Sequence, residues 1–304
     1  MDQENNCLFV SSRGILKSCD IYSAKPISSV RHLVDYDFTQ IKTGSTVYIC
    51  SRALPQFISI YKEITSRFIL ITGDCDESCP VELFNSHQEF LDFIESDNII
   101  HWFSQNCVNT SHPKLSQIPI GLDYHTLSID DHAWGNRASP TDQEKLLTVV
   151  KSKSEPFWKR KIQAYSNFHF LMTTKFGQDR KDAQNQIPNY LVYYEPEKIK
   201  RLNTWVKQTE YAFVISPHGN GMDCHRTWEA LILGCIPIIK TSPLDKMFQD
   251  LPVLIVKTWT DVTLPRLNKT VRKFKKKTFN YDKLNLKYWK DIIESVRPSQ
   301  ESDT

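Results

Sequence analysis

The residues best suited to chemistry lie between 211 and 240. His218-Gly219-Asn220-Gly221 is a turn built on two glycines, where the backbone is permissive enough to close around a ligand. It follows an apolar run, Tyr211 to Ile215, behind Ser216-Pro217. Trp228, Leu231 and Ile232 then recur at helical spacing, Gly234 ends that stretch, and Cys235 to Ile239 is a second apolar run. The pattern predicts strand, loop, helix and strand, with Asp223 as the N-cap. Such a unit offers backbone N–H groups and the positive end of a helix dipole to a phosphate. Ser216, His218, Gly219, Asn220 and Gly221 border that point. Arg226 can add a bidentate contact, and Glu229 can accept hydrogen bonds from a ribose diol. A plain i, i+3 ion pair between Arg226 and Glu229 is the competing reading.

Further candidates sit where other predicted strands end. Asp74 and Asp76 follow the run Phe68 to Thr72. Asp123 and His125 follow Ile118-Pro119-Ile120-Gly121, read as a short strand. Arg180, with Lys181 as second choice, opens a helix after a strand over 164–170. A guanidinium fork matches phosphate oxygens better than an ammonium does. Thr241 and Ser242 end the strand that closes the central unit.

The elements that must position these groups alternate strand and helix, which implies parallel sheets. Expected strands are 7–10, 46–50, 68–72, 98–103, 164–170, 190–194, 211–215, 235–239 and 251–256. Helical spacing runs through 51–64, 84–96, 143–150, 156–163, 196–207 and 281–296. Lys198, Lys200, Arg201 and Lys207 are assigned to the wet side of the helix over 196–207.

Ser216 to Gly221, Cys224 to Leu231 and Gly234-Cys235-Ile236-Pro237-Ile238-Ile239 together resemble the donor-site signature of exostosin-like glycosyltransferases. The resemblance covers about residues 165–262, Trp259 to Val262 included. It extends to short soluble forms in algae and large algal viruses. It implies a GT-B fold, two Rossmann-like α/β domains whose parallel sheets face a cleft. It implies transfer of a sugar, with inversion, from a nucleoside diphosphate sugar to a glycan hydroxyl. A UDP-sugar is the family habit, and UDP-xylose fits the short forms. Glu229 would hold the ribose, and Arg180, Lys181, Gly219, Asn220, Gly221 and Arg226 the diphosphate. Arginines and helix N-termini neutralise the diphosphate in this fold, so no metal or other cofactor is expected. A base is needed for the acceptor hydroxyl. Asp74 and Asp123 are the first choices, Asp76 and His125 the next.

Composition is that of an ordinary globular protein: 304 residues, 40% hydrophobic, 24% charged, net charge +3. The expected layout is an acceptor-side domain over 1–160, a donor domain over 161–275 and a helix over 276–304 packing back on the first domain. No apolar run reaches the length of a membrane span. The start, Met-Asp-Gln-Glu-Asn-Asn, lacks signal-peptide character, so a cytoplasmic location is expected. No nucleic-acid partner is expected. The basic stretch 266–277 is read as a solvated helix or loop, with peripheral membrane contact as the alternative. Cys75 and Cys79 are a potential disulfide only in an oxidising compartment. Rival functions are a glycan- or nucleotide-binding protein without catalysis, and an epimerase or hydrolase acting on nucleotide sugars.

Overall fold

Two sets of short, β-branched, apolar runs build two separate parallel sheets. The computed structural model describes residues 3–108, 111–168 and 173–298. The first sheet has the order β1 (Ser45–Cys50), β2 (Phe68–Gly73), β3 (Ile99–Ser104), β4 (Leu115–Gln117). The second has five strands, β5 (Lys161–Ser166), β6 (Val192–Tyr194), β7 (Tyr211–Ile215), β8 (Ile236–Lys240) and β9 (Leu254–Val256). Their spatial order is β6-β5-β7-β8-β9. All pairings are parallel, Val214 opposite Pro237 for example, with a register shift between Phe68 and Ile69 in the β2–β3 pair and between Lys161 and Ala164 in the β5–β7 pair. β1 and β2 are buried along their whole length, which is why they read as continuous apolar runs.

Helices run between and around the strands. They are α1 (Ser12–Leu16), α2 (Leu54–Ile58), α3 (His87–Ile94), α4 (His125–Ile129), α5 (Pro140–Lys153), α6 (Gly177–Gln186), α7 (Arg201–Gln208), α8 (His225–Ile232), α9 (Leu264–Phe274) and α10 (Leu286–Glu294). Starts are set by side-chain caps where the sequence supplies them: Ser86 for α3, Ser139 with Pro140 for α5, Thr263 with Pro265 for α9. One apolar cluster joins both units, from Phe9, Tyr48 and Phe103 through Tyr165 to Trp228 and Trp289. The tail packs back on the chain's beginning. Val10 N–H donates to Leu284 O at 2.9 Å, and Leu286 N–H donates to Leu8 O at 2.8 Å.

The strand order of the second sheet reverses between β5 and β7, the kind of switch point at which open α/β sheets bind ligands. The loops beyond the carboxyl ends of β2 and β3 meet the loop beyond β7. Asn106 Oδ1 accepts from Asp223 N–H at 2.9 Å, and Asp76 Oδ1 would lie 3.1 Å from a Cβ at Gly221. Two parallel α/β layers thus face each other across a cleft, which is the GT-B arrangement.

Several elements depart from expectation. Residues 7–10 join no sheet. Phe9 makes a single antiparallel bridge with Asn285, and Glu144 accepts both Leu8 N–H and Phe9 N–H at 2.9 Å. The strand placed over 118–121 is β4 instead, earlier in sequence. Gly121 is a turn at φ +63°, where a Cβ would lie 2.2 Å from Val10 O. The expected helix over 156–163 is a single 3-10 turn, Phe157–Lys159, and β5 starts at Lys161. The strand's predicted end at 169–170 lies outside the described residues. α7 begins at Arg201; Pro196 to Lys200 are irregular, and Pro196 to Ile199 line a cavity. All eight cysteines are free thiols, Cys75 and Cys79 included.

Asp223 is not the cap of α8, which Cys224 occupies. Its buried carboxylate instead takes Ile120 N–H at 2.7 Å from one unit and Trp228 Nε1–H at 2.8 Å from the other. Burial pushes its pKa up to about 6. A raised acid favours the fold fully below its unfolded pKa, about 4, and this contribution is lost as pH rises through 6. Asp223→Asn should therefore flatten the fall in stability over that window, followed by urea midpoints at successive pH values. Asp223→Ala should cost about 2–4 kcal/mol by leaving two buried donors unpaired. Equal slopes in wild type and Asp223→Asn would remove Asp223 as the titrating group.

Candidate functional site

A cavity of about 560 Å³ opens at the switch point, lined among others by Asn167, Phe168, Arg180, Arg226 and Glu229. A smaller one of about 140 Å³ lies beside it, lined by Asp74, Asp76, Gln105 and His125. His225 lines both.

Two arginines converge at the glycine loop. Arg180, from α6, is buried and donates through Nε to His218 O at 3.3 Å. Burial first, and the charge of Arg226 next, lower its proton affinity. Its Nη2 would lie 2.8 Å from a Cβ at position 219, so a side chain there would displace the end of Arg180, and close approach rather than turn geometry favours glycine. Arg226, in the first turn of α8, donates to Pro217 O, and its guanidinium lies 5.8 Å from the Phe168 ring centroid. Its Nε is buried and has no hydrogen-bond partner among the described residues. A buried donor of that kind is costly unless something accepts from it.

Two of the loop's backbone donors are engaged within the protein. His218 N–H donates to Asp179 Oδ2 at 3.0 Å and Gly219 N–H to Gly221 O at 2.9 Å. Asp179 in turn accepts from Trp259 Nε1 at 2.8 Å, which pins the loop to the far side of the sheet. Gly221 lies against Asn106, whose Nδ2 would be 2.8 Å from a Cβ there. Side-chain guanidiniums, more than a ring of amides, face the cavity.

At the other end of the large cavity Glu229 is already paired. Arg201 donates to Glu229 Oε1 through Nε at 2.9 Å and Nη2 at 2.6 Å. Arg201 is not on a wet face. It is 8% exposed, packs between the rings of Trp134 and Trp205 at 5.2 and 4.9 Å, and also reaches Gln143 Oε1 at 3.0 Å. Trp134 also lines the cavity.

The junction gathers the acid–base candidates. Asp123 accepts Thr126 N–H at 3.0 Å and Thr126 Oγ1–H at 2.8 Å. Although burial alone would raise its pKa, the charges of His225, His125 and Arg201 and the Thr126 N–H bond hold it well below the usual carboxylate range. His125 Nδ1 is 3.1 Å from Asp123 Oδ1 but off the hydrogen-bond direction. Its Nε2 faces Ser28 Oγ at 3.3 Å, and burial lowers its pKa. Asp74 sits at φ +57°, with Oδ2 2.9 Å from Arg13 and Oδ1 accepting from Ser28 at 2.9 Å, so both oxygens are held. Asp76 is less constrained, and burial raises its pKa. His225 Nδ1 lies 2.8 Å from Gly121 O. A carbonyl only accepts, so Nδ1 carries the proton and Nε2 of the neutral ring is the basic nitrogen.

No protein family model matches the chain, and no curated protein matches it. Among solved structures it aligns with an α1,3-fucosyltransferase over 91% of this chain and 94% of that one, at 11% identity and TM-score 0.41. It also aligns with the N-terminal domain of Candida albicans trehalose-6-phosphate phosphatase, over 86% and 73%, at 10% identity and TM-score 0.40. The exostosin resemblance therefore rests on the residues of the glycine loop, α8 and β8.

Other sequence candidates stand apart from the cavity. Lys181 is exposed on the outer face of α6. Ser216 Oγ is buried against Thr227 Oγ1 at 2.7 Å and ties the loop to α8. Thr241 Oγ1 and Ser242 N–H both bond to Asp245, at 2.6 and 2.9 Å, within a turn. His225, Arg201 and Asp179 were not among the sequence candidates. His225 alone carried a local signal, as the residue that opens the helix after the glycine loop. Arg201→Ala leaves Glu229 partly buried without its partner and should cost about 3 kcal/mol of stability, read from urea unfolding. A loss below about 0.5 kcal/mol, the range of an exposed pair, would mean that the pair is solvated.

Proposed function

We propose that the protein is a glycosyltransferase that moves a sugar from a nucleoside diphosphate sugar, with UDP-sugars first among candidates, to a hydroxyl of a glycan acceptor. The observation that carries this reading is the convergence of Arg180 and Arg226 on the switch-point cavity, with Arg226 Nε buried and without a hydrogen-bond partner among the described residues. A diphosphate supplies the charge and the acceptor atoms that this pair lacks. Trp134 at the far end offers a stacking face for a base. Glu229 would meet the ribose through the oxygen that Arg201 leaves, and Arg201 would hold it in place.

The transfer breaks the bond from the anomeric carbon to the diphosphate oxygen and forms one to the acceptor oxygen. Arg180 and Arg226 would stabilise the charge that develops on the leaving diphosphate. The acceptor hydroxyl would enter from the smaller cavity, and His225 Nε2, at the junction, would take its proton. Direct attack of this kind inverts the anomeric centre. We place His225 ahead of Asp74 and Asp123 as the base, because the carboxylates of those two are committed to Arg13, Ser28 and Thr126. Asp76 is second. The exostosin relationship, inversion and a pentose donor such as UDP-xylose are parts of this proposal.

Titration calorimetry with uridine and guanosine diphosphates tests the donor site. Wild type should bind one of them, and Arg226→Ala should weaken it roughly tenfold to a hundredfold. His225→Ala should keep that affinity and lower transfer by about 10²–10⁴. Absence of binding by any nucleoside diphosphate would end the reading. Binding without transfer to any glycan would favour a binding protein on the same frame.

A further inference from the structure

From Val262 to Tyr281 the chain carries no Asp or Glu, and it places seven Lys and Arg between 266 and 277. The net charge of the whole chain is only +3, so the remainder of the molecule is net acidic. Apolar positions of α9, Leu267 and Val271, are buried in the second unit's core, so the helix is anchored and its opposite face is fixed. Arg266 pairs with Asp261. Lys269, Arg272, Lys273, Lys275, Lys276 and Lys277 are exposed and have no ion-pair partner among the described residues. Cations at a helix C-terminus offset the dipole, but that dipole is equivalent to about half a charge, far less than this cluster supplies.

Aromatic rings are interleaved with the charges. Lys275 Nζ lies 6.0 Å from the ring centroid of Trp158, which is 41% exposed. Lys277 Nζ lies 5.1 Å from that of Phe279, and Phe279 packs at 6.2 Å on Tyr281, which is 47% exposed. None of these residues lines either cavity described above, so the surface is not the rim of the candidate site.

We propose that the α9 C-terminal face, residues 269–281 with Trp158, docks the protein on an anionic lipid surface. Exposed lysines supply attraction to acidic headgroups, and Trp158 and Tyr281 are the ring types that settle at the boundary between headgroups and water. A nucleic acid is the less favoured partner, since no base-reading module surrounds the patch. The proposal does not depend on the donor-site reading.

Vesicle co-sedimentation tests it. Wild type should bind phosphatidylcholine–phosphatidylserine vesicles at low salt, release at high salt, and ignore pure phosphatidylcholine. Replacing Lys273, Lys275, Lys276 and Lys277 together by Gln should lower partitioning roughly a thousandfold, with the thermal midpoint near wild type. Trp158→Ala should give a smaller loss at unchanged charge. Failure of wild type to bind acidic vesicles would overturn the proposal, as would a quadruple variant that binds them as well as wild type. Binding of an unspecific DNA duplex in place of vesicles would also overturn it and reassign the face.

Discussion

One buried carboxylate holds the two halves of the cleft in register. Asp223 takes Ile120 N–H with one oxygen and Trp228 Nε1–H with the other, while its own N–H donates to Asn106. Ile120 and Asn106 belong to the first α/β unit, and Trp228 is the core anchor of α8 in the second. The position of α8, and with it of His225, Arg226 and Glu229, is therefore set by contacts that cross between units. A carboxylate there costs free energy when charged, which is why its pKa rises, and the hydrogen bonds offset only part of that cost. The arrangement trades stability near neutral pH for a fixed cleft geometry.

The same constraint distributes the charges. Most negative groups at the junction are held locally: Asp74 by Arg13, Glu229 by Arg201, and Asp123 by the N–H and hydroxyl of Thr126. Asp179 is absorbed by the loop and Trp259. Arg226 differs, because its contacts are to a carbonyl, a thiol and a ring, and its Nε has no partner among the described residues.

The βαβ unit over 211–240 was legible because its signals are local. Both strands are short, wholly apolar runs, glycines bound the helix, and Trp228, Leu231 and Ile232 fall on one face. β1, β2 and β3 were legible for the same reason. Residues 118–121 and 156–163 were not. The conformation of 118–121 follows from a close approach to Val10 and a bond from Asp223, partners about a hundred residues away, and β5 recruits Lys161 by pairing it with Tyr211. Arg201 illustrates the limit for site residues. In sequence it is one cation among several on a basic stretch, and only the arrival of Trp134, Gln143 and Glu229 makes it a buried clamp.

Close approach explains more of the glycine loop than turn geometry does. Neither Gly219 nor Gly221 has a positive φ, so an L-residue could adopt either backbone. Gly219 is favoured because Arg180 Nη2 occupies the space of its Cβ, and Gly221 because Asn106 does. The two glycines thus report on different contacts. Gly219 lets a cation lie under the loop at the cavity, and Gly221 lets the first unit close against the second. A methyl group at 219 would displace the end of a flexible side chain, whereas one at 221 would press on Asn106 and through it on Asp223. Position 219 is consequently coupled to the placement of Arg180 and position 221 to the interface between units, although they stand two residues apart in the same turn.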